Sequence, residues 1–275
     1  MDQIKTGTFQ RAADRSQRDR LQVVSWNINR GLQLPGIIDF LSNASADLVL
    51  LQEVDVNARR TEHRNVAHEI ARALEMNYVF GREFQELGQG SASSPAYHGQ
   101  ATLSRFPIES SRILRFSRQS GFWRPRWFIP KIQKLQRRMG ARMALVSQIA
   151  WSEQPLTVYN LHLESRGKDD LRSNQLAEVL DDSERYGAGM PVVIAGDFNF
   201  DLSCEPAMLM MNRVAVQNPF NNGNRGPTVV RAGRGRGRSI DWILLRGSLN
   251  YGNPQLHRHV FASDHHPISL TLHAT

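Results

Sequence analysis

Cysteine is nearly missing from the sequence: Cys204 is the single one among 275 residues, so no disulfide can form within the chain. A lone thiol is typical of proteins in a reducing compartment, and a cytoplasmic location is the prediction. Long apolar runs are missing as well, since no stretch approaches the roughly 20 apolar residues of a membrane helix. Residues 1–20 are polar and lack the apolar segment of a secretory signal peptide. We therefore expect a flexible polar leader at 1–20, followed by a single domain at 21–275.

Acidic residues are missing from two stretches, between Glu109 and Glu153 and between Glu205 and Asp241. The first stretch contains ten basic residues and the second contains six, whereas the net charge of the whole chain is only +8. Such concentrated positive charge attracts polyanions or anionic membrane surfaces, whereas a merely solvated face would mix both signs. The pattern favours a role in binding a substrate or partner. The basic residues are Arg112, Arg115, Arg118, Arg124, Arg126, Lys131, Lys134, Arg137, Arg138 and Arg142, then Arg213, Arg225, Arg231, Arg234, Arg236 and Arg238.

Short apolar segments recur along the chain and predict more strands than helices. Strands are predicted at 21–26, 48–52, 78–80, 100–104, 143–150, 156–162, 191–195, 239–245 and 267–272. Helical spacing is visible at 35–41, 64–76 and 168–186. Because helices alternate with strands only in parts of the chain, the pattern indicates an α/β protein with mixed sheets.

Polar side chains follow or interrupt several of the predicted strands. They are Asn27, Glu53, Asp197, Asn199, Asp241, Asp264 and His265. Strand ends open onto a shared edge of a sheet, where loops build functional sites, so these residues can meet although they are distant in sequence. Each of them alone has an ordinary structural interpretation, such as a strand end or a turn cap. The argument for a site rests on their joint occurrence.

Two groups of these residues suit particular chemistry. Asp197 and Asn199 alternate in the segment GDFN, so a carboxylate and an amide face the same space. Mg²⁺ favours such oxygen ligands and typically takes one or two carboxylates, which Glu53 and Asp264 could supply. The spacing of a zinc site is absent.

Histidines supply a second kind of chemistry. His265 directly follows Asp264, and Asp241 is a candidate partner that would orient its imidazole. His162 lies between two leucines and by alternation points away from both. For His162 alone, a structural histidine is the simpler interpretation, but beside the other motifs a catalytic role for His162 is the prediction.

Seven segments together resemble the endonuclease/exonuclease/phosphatase superfamily, which includes DNase I-like nucleases, abasic-site endonucleases, sphingomyelinases and inositol-polyphosphate 5-phosphatases. The resemblance extends from about residue 21 to residue 272. It implies a four-layered α/β sandwich, in which two packed mixed β-sheets are flanked by helices. The segments, in family order, are SWNIN, LLQEV, QATLSRFPI, YNLHLES, VVIAGDFN, SIDWIL and SDHHPI.

The resemblance also implies roles for the matching positions. Glu53 resembles the principal metal ligand, with Asn27 and Asp264 as further metal-site residues. Asp197 resembles the residue that orients or deprotonates the attacking water, on the metal side of the site. Asn199 resembles the residue that holds the phosphate or a second metal position, and Asn27 is also a candidate phosphate contact.

The remaining roles concern the histidines and one arginine. His265 resembles the essential histidine of the family, and Asp241 resembles the aspartate that hydrogen-bonds to it. His162 matches a histidine of DNase I-like proteins and sphingomyelinases that abasic-site endonucleases tend to lack. Arg142 resembles a phosphate-contacting arginine.

The segment 112–140 departs from the family pattern as a basic insert that contains Phe122, Trp123, Trp127 and Phe128. Arginines beside aromatic rings can bind single-stranded nucleic acid, and the same mixture can bind an anionic bilayer. A partly buried hairpin is the structural alternative. The glycine-rich loop 231–238 leads into Asp241, so its arginines are expected to flank the site.

The function that these features imply is hydrolysis of a phosphodiester by in-line attack of water, with Mg²⁺ or in its place Mn²⁺ as cofactor. A nuclease acting on nucleic acid is the first hypothesis. A phospholipid or inositol-phosphate hydrolase that docks on anionic membrane lipid is the alternative. A non-catalytic nucleic-acid or membrane-binding module is the third, and the intact set of site residues argues against it. The sequence gives no indication of an obligate protein partner.

Overall fold

The computed structural model describes residues 3–9, 19–122, 138–220, 226–229 and 237–274. Over these residues the chain forms thirteen β-strands and four α-helices. The strands are β1 (Ile4–Gly7), β2 (Arg20–Arg30), β3 (Leu48–Val56), β4 (Asn77–Glu86), β5 (Ala96–Ser104), β6 (Ile108–Arg115), β7 (Arg138–Gly140), β8 (Met143–Ile149), β9 (Leu156–His162), β10 (Val192–Asp197), β11 (Asp241–Arg246), β12 (Asn250–Leu256) and β13 (Ile268–His273). The helices are α1 (Leu34–Asn43), α2 (Val66–Ala73), α3 (Asp169–Ser183) and α4 (Glu205–Arg213).

The strands form two sheets in the described part of the chain. The first has the order β1-β4-β5-β3-β2-β13-β12, with β7 paired to β4 as an eighth strand. The second has the order β11-β10-β9-β8-β6. β2 pairs with β3 in parallel, and β9 pairs with β10 in parallel, whereas the other neighbours are antiparallel. Both sheets are therefore mixed, as the sequence predicts.

Two hydrophobic cores show how the layers stack. Leu50 of β3 packs in one core with Leu161 of β9 and with Leu176 of α3, so this core joins the two sheets and reaches the outer helices. Leu51 of β3, on the opposite face of its strand, packs with Ile37 of α1 in the other core. The alternation of side chains along β3 thus feeds both cores. The result is a four-layered α/β sandwich, and this prediction is confirmed.

The helices begin where local chemistry favours a helix start. α1 has a proline in its first turn, where the missing N–H costs nothing. α2 is capped by Asn65, whose side chain accepts a hydrogen bond from the backbone N–H of His68 at 3.2 Å. No α-helix within the described residues is long and apolar enough to cross a membrane.

The expectation of a flexible leader at 1–20 is wrong for Ile4–Gly7, because these residues form strand β1. β1 pairs with the edge of β4, with Ile4 opposite Gly81 and Gly7 opposite Tyr78. A short polar strand can add to an exposed edge because its backbone supplies the hydrogen bonds. Sequence patterns also missed β12 and α4. β12 is an exposed edge strand with a glycine and a proline, so it shows no apolar alternation.

The basic aromatic insert at 112–140 lies partly outside the described residues. The part outside them includes Trp123, Trp127, Phe128 and all the basic positions from 124 to 137. Three of its described arginines bind within the protein through their side chains. Arg115 donates to the backbone carbonyl of Ala141 at 2.6 Å, and Arg138 pairs with Glu86 at 2.8 Å. Arg112 pairs with Asp182. These contacts give Arg115 and Arg138 a structural role, and the role of the basic segment in binding a substrate or partner stays a prediction.

Gly196 of β10 lies where the backbones of β10 and β9 approach each other very closely. Its φ is 146°, and a Cβ placed there would lie 1.9 Å from the backbone oxygen of Leu161 on β9. Only glycine therefore allows β10 to approach β9 closely enough to place Asp197 beside the end of β9.

We predict that Gly196→Ala lowers the free energy of unfolding by about 1–3 kcal/mol, since β10 must shift away from Leu161. Urea unfolding followed by circular dichroism measures this change. Gly187→Ala is the matched control, because its new Cβ would lie 3.8 Å from the side chain of Met190, at ordinary contact distance. Equal stability of the two variants would contradict the prediction.

Candidate active site

The two sheets meet at the ends of β2 and β10 through a hydrogen bond between side chains. Asn27 donates from Nδ2 to Oδ2 of Asp197 at 3.1 Å. Both side chains are buried, with about one-hundredth of their surface exposed. The backbone N–H of Asn199 donates to the other carboxylate oxygen of Asp197 at 2.8 Å. The prediction that Asn27 and Asp197 converge is therefore confirmed by a direct contact.

Glu53 reaches the site because β3 is irregular at this residue. The pairing of β3 with β5 shifts register between Leu51 and Val54, and Glu53 has a φ of 53°. A bulge of this kind inserts one residue and re-aims its side chain. The carboxylate lies 3.5 Å from Arg30, and 21% of the side chain is exposed. Glu53 thus lies at an opening of the site.

The electrostatic surroundings keep Glu53 charged. Burial by itself raises the pKa of a carboxyl group, but the neighbouring imidazoles of His98, His162 and His265 and the guanidinium of Arg30 together outweigh it. The pKa of Glu53 is consequently held well below its usual range. An anionic carboxylate near the opening is suited to binding a cation.

Asp241 and His265 form a buried ion pair on the other side of Asp197. Nδ1 of His265 lies 3.0 Å from each carboxylate oxygen of Asp241. Because a carboxylate is an acceptor, Nδ1 carries the proton and Nε2 is left facing Asp197, whose Oδ2 is 3.8 Å away. The indole of Trp26 donates to the backbone oxygen of His265 at 2.8 Å and fixes the backbone of that histidine.

This ion pair favours the cationic imidazole. Burial opposes the charge on His265, yet the carboxylates of Asp241, Asp197 and Asp264 together raise its pKa to about 10. The predicted partnership of Asp241 with His265 is confirmed. Asp264 is exposed and contributes to the pKa of His265 through its charge.

Asp197 has the opposite tendency to Glu53. Burial, followed by the negative charge of Asp241, raises the pKa of Asp197 to about 7. His162 lies beside it, with Nε2 at 3.4 Å from Oδ2 of Asp197. Burial and the charge of Arg142 lower the pKa of His162 well below its usual value, so this second imidazole is neutral. The structure thus brings His162 beside Asp197, and its catalytic role stays a prediction.

Asn199 and the glycine-rich loop meet at the same place. Nδ2 of Asn199 donates to the backbone oxygen of Leu163 at 3.1 Å. The backbone oxygen of Asn199 accepts a hydrogen bond from the guanidinium of Arg238 at 2.8 Å. Arg238 is the last residue of the loop 231–238, so this end of the loop flanks the site as expected. Residues 231–236 lie outside the described residues.

Arg142 lies beneath the site instead of at its surface. Its side chain is 2% exposed and donates to Glu83 and to the hydroxyl of Ser165, each at 3.0 Å. Its Nε also lies 4.0 Å from Glu164. A contact between Arg142 and phosphate remains a prediction, and the burial of the guanidinium between carboxylates favours a structural role.

Sequence patterns missed two groups that the structure brings to the site. Thr228 accepts hydrogen bonds from the backbone N–H groups of Ile240 and Asp241 and so holds the start of β11. Asp55 and His98 form a second buried pair, with 2.8 Å between Oδ1 and Nδ1. The available signal was the alternation of His98, Gln100 and Thr102 on β5, which marks a buried polar face.

The family of the protein is shown by comparison of its sequence with known proteins. The sequence matches the Endonuclease/Exonuclease/phosphatase family over residues 24–265, and the chain belongs to this family. Family members are generally metal-dependent phosphoesterases, which places this protein in that class. No curated protein matches the sequence. The family resemblance predicted from the seven segments is confirmed.

Solved structures show the same fold at low sequence identity. The endonuclease/exonuclease/phosphatase from Beutenbergia cavernae is 18% identical, with a TM-score of 0.68 over 93% of this chain and 72% of that one. TDP2 from Caenorhabditis elegans is 18% identical, with a TM-score of 0.64 over 93% of this chain and 74% of that one. D. rerio TDP2 complexed with single strand DNA product is 20% identical, with a TM-score of 0.62 over 94% and 100%.

The oxygen donors of the site fit a hard divalent cation. Asp197, Asp241 and His265 are spaced closely enough to hold an ion, with ligand atoms within 4.8 Å of one another. A histidine whose pKa is about 10 is protonated at neutral pH, however, and has no free nitrogen to ligate a metal. The anionic Glu53, with the amide of Asn27 and the exposed Asp264 as further donors, fits the metal better.

We predict that Asp241→Asn lowers the pKa of His265 and reduces turnover by about 10²–10⁴-fold at neutral pH. Asp241 is the largest favourable influence on the His265 cation, so without it the imidazole loses its proton at lower pH. The measurement is the pH profile of turnover: activity should fall through about pH 10 in the parent and at lower pH in the variant. An unshifted alkaline limb in Asp241→Asn would contradict the assignment.

Proposed function

We propose that the protein is a Mg²⁺-dependent nuclease that hydrolyses phosphodiester bonds of nucleic acid. The observation that carries this proposal is the buried carboxylate of Asp197, which lies between the His265–Asp241 ion pair and the amide of Asn27. Its pKa of about 7 suits a group that must accept a proton from water near neutral pH. This arrangement serves attack of water on phosphorus.

The residues divide the reaction between them. Asp197 accepts the proton of the attacking water and orients its lone pair toward phosphorus. His265 presents a cationic Nε2, which stabilises negative charge that builds on the phosphoryl oxygens. Asn27 and the backbone N–H of Asn199 keep the Asp197 carboxylate in position for this step.

A divalent cation held by Glu53, with Asn27 and Asp264 nearby, would polarise the phosphoryl group and supply further positive charge. Mg²⁺ suits this donor set of carboxylate and amide oxygens, and Mn²⁺ can replace it because it accepts the same ligands. A single anionic ligand that stays ionised, as Glu53 does, is sufficient to anchor an ion that also binds substrate phosphate.

Exposed aromatic rings near the mouth support nucleic acid as the substrate. Phe261 is 73% exposed three residues before Asp264. Phe122 is 49% exposed, and Arg166, four residues after His162, lies 4.9 Å from its ring centroid. Rings and guanidinium groups of this kind stack on the bases of single strands. The fold is shared with D. rerio TDP2, whose structure holds a single strand DNA product.

A phospholipid hydrolase is the second candidate, and it is favoured by one observation. Leu32 is 50% exposed just before α1, and a Cβ on Gly36 of α1 would lie 3.1 Å from the side chain of Ala262, next to Phe261. α1, which begins just after Leu32, therefore packs beside the segment that carries Phe261. Such an apolar rim would also suit the surface of an anionic membrane.

We predict that the purified protein with Mg²⁺ cleaves a single-stranded DNA oligonucleotide and that EDTA abolishes the cleavage. His265→Gln should reduce the rate by about 10²–10⁴-fold while the protein stays folded, because it removes the cation beside the reacting phosphate. The substrate range is measured by gel analysis of DNA and RNA oligonucleotides and by the release of product from sphingomyelin vesicles and from an inositol polyphosphate. Cleavage of lipid without cleavage of any oligonucleotide would overturn the first candidate in favour of the second.

We predict that Phe261→Ala raises KM for a single-stranded oligonucleotide by about 5–100-fold, the value of one base stacked on an aromatic ring. Phe261→Trp should keep KM close to that of the parent. Tyr251→Ala is the matched control, since Tyr251 is 40% exposed but pairs with Leu272 at the opposite end of β13 from His265. Equal KM values for Phe261→Ala and Tyr251→Ala would exclude the stacking role.

A further inference from the structure

A short backbone ladder joins the segment before β11 to the segment that carries His265. Val229 forms antiparallel bridges with both Arg238 and His265. The N–H of Val229 donates to the backbone oxygen of Arg238 at 3.0 Å, and the N–H of Arg238 donates back to Val229 at 3.1 Å. The chain around Val229 therefore lies between the two segments that supply the ion pair of the site. None of the steps proposed above uses it.

Thr228, the residue before Val229, has a fully buried hydroxyl whose hydrogen-bonding capacity is used completely. Its oxygen accepts from the backbone N–H groups of Ile240 and Asp241, at 3.1 and 3.2 Å. The hydroxyl also donates to the backbone oxygen of Arg238 at 3.3 Å. Because a hydroxyl has one donor and two acceptor positions, one oxygen atom fixes the backbone at the start of β11.

The backbone of Thr228 holds the other member of the ion pair. Its carbonyl oxygen accepts a hydrogen bond from the backbone N–H of His266 at 2.8 Å, next to His265. The carboxylate oxygens of Asp241 lie 3.0 Å from Nδ1 of His265. One residue thus contacts the backbone of Asp241 through its side chain and the backbone beside His265 through its carbonyl.

Arg238 extends this arrangement toward Asp197. The backbone oxygen of Arg238 accepts from the N–H of Thr228 at 2.9 Å, and its guanidinium donates to the backbone oxygen of Asn199 at 2.8 Å. The N–H of Asn199 in turn donates to the carboxylate of Asp197 at 2.8 Å. The residue that pairs with Thr228 therefore also holds the backbone just after Asp197.

We propose that Thr228 is a positioning residue of the reaction: its hydroxyl and its carbonyl oxygen together set the distance between Asp241 and His265. The inference rests on the proposed function because it takes His265 as the group that stabilises charge on the phosphoryl oxygens. A misplacement of a reacting group by about 1 Å costs about 10²-fold in rate. Since Thr228 is fully buried, it acts on turnover and not through contact with the substrate.

Two substitutions separate the hydroxyl from the shape of the side chain. Thr228→Val removes the hydroxyl and keeps the branched shape, so the N–H groups of Ile240 and Asp241 lose their shared acceptor. Thr228→Ser keeps the hydroxyl and removes only the methyl group. A positioning role of the hydroxyl requires that serine restores what valine loses.

A buried hydroxyl far from the site provides the matched control. Ser104 is fully buried, and its hydroxyl accepts from the backbone N–H of Phe106 at 2.9 Å. Ser104 pairs with Leu48, the first residue of β3, at the end of that strand away from Glu53. Ser104→Ala therefore leaves a backbone N–H without its acceptor, as Thr228→Val does, but without touching the ion pair.

The first readout is the proton NMR signal of the Nδ1–H of His265, which requires neither metal nor substrate. The hydrogen bond to Asp241 shifts this signal downfield, and His265→Gln identifies it by removing it. The Nδ1–H of His98 faces the carboxylate of Asp55 at 2.8 Å and provides an internal reference.

We expect Thr228→Val to stay folded and to shift or broaden the His265 signal while the His98 signal is unchanged. In the cleavage of a single-stranded oligonucleotide, kcat should fall by about 10–100-fold at an unchanged KM. Thr228→Ser and Ser104→Ala should keep both signals and the kcat of the parent. A folded Thr228→Val with the His265 signal and the kcat of the parent would overturn the proposal.

Thr228→Ala covers the case in which Thr228→Val does not fold. It leaves room for a water that accepts from the same two N–H groups, but such a water is not tied to residue 228, so the His265 signal should still change. If neither variant folds whereas Ser104→Ala does, Thr228 is a structural residue and the proposal is overturned. A parent that cleaves no oligonucleotide, but whose His265 signal depends on the Thr228 hydroxyl, contradicts the nuclease assignment alone.

Discussion

The hydrogen bond from Asn27 to Asp197 crosses from one sheet to the other at the centre of the site. Because Asp197 is buried, its carboxylate requires fixed hydrogen-bond donors. One donor is the side chain of Asn27 in the first sheet, and the other is the backbone N–H of Asn199, just after β10 of the second sheet. The same burial depends on the packing of the core between the sheets. A displacement of one sheet by an ångström would leave a buried acceptor without its donor, so the stability of the sandwich and the geometry of the site impose a single constraint.

The buried carboxylates explain the division of charge within the site. Asp197 and Asp241 lie close together in a poorly solvated interior, so the negative charge of Asp241 raises the pKa of Asp197. The His265 cation lies between them and is itself stabilised by both. Glu53 is separated from this group and remains anionic. Environments that push the pKa values of Asp197 and Glu53 apart suit these two carboxyl groups to the different tasks proposed for them, proton acceptor and cation ligand.

The sequence predicted the site where an apolar run leads straight into a polar residue, as it does at Asn27 and Asp197. It could not show how Glu53 turns inward, because a β-bulge depends on the register with β5 and leaves no mark in the pattern of β3. The pair Asp55–His98 was missed for a related reason, since its members are 43 residues apart and meet only through strand pairing. Arg142 shows the reverse case: a motif position identifies the residue, but the surrounding carboxylates that favour its structural role come from β4 and from the segment after β9.

The positive charge of the chain also has a different meaning in the folded protein. Arg138 pairs with Glu86, and Arg142 pairs with Glu83, so part of the charge counted between Glu109 and Glu153 is neutralised inside the protein. Such charges contribute little to the attraction of a polyanion. The selection of nucleic acid or lipid as substrate must then depend on the exposed residues around the opening of the site. A membrane surface requires a continuous apolar patch, whereas bases require separate exposed rings beside cations. Phe122 with its neighbouring Arg166 has the second arrangement, and this is why nucleic acid is the better supported substrate.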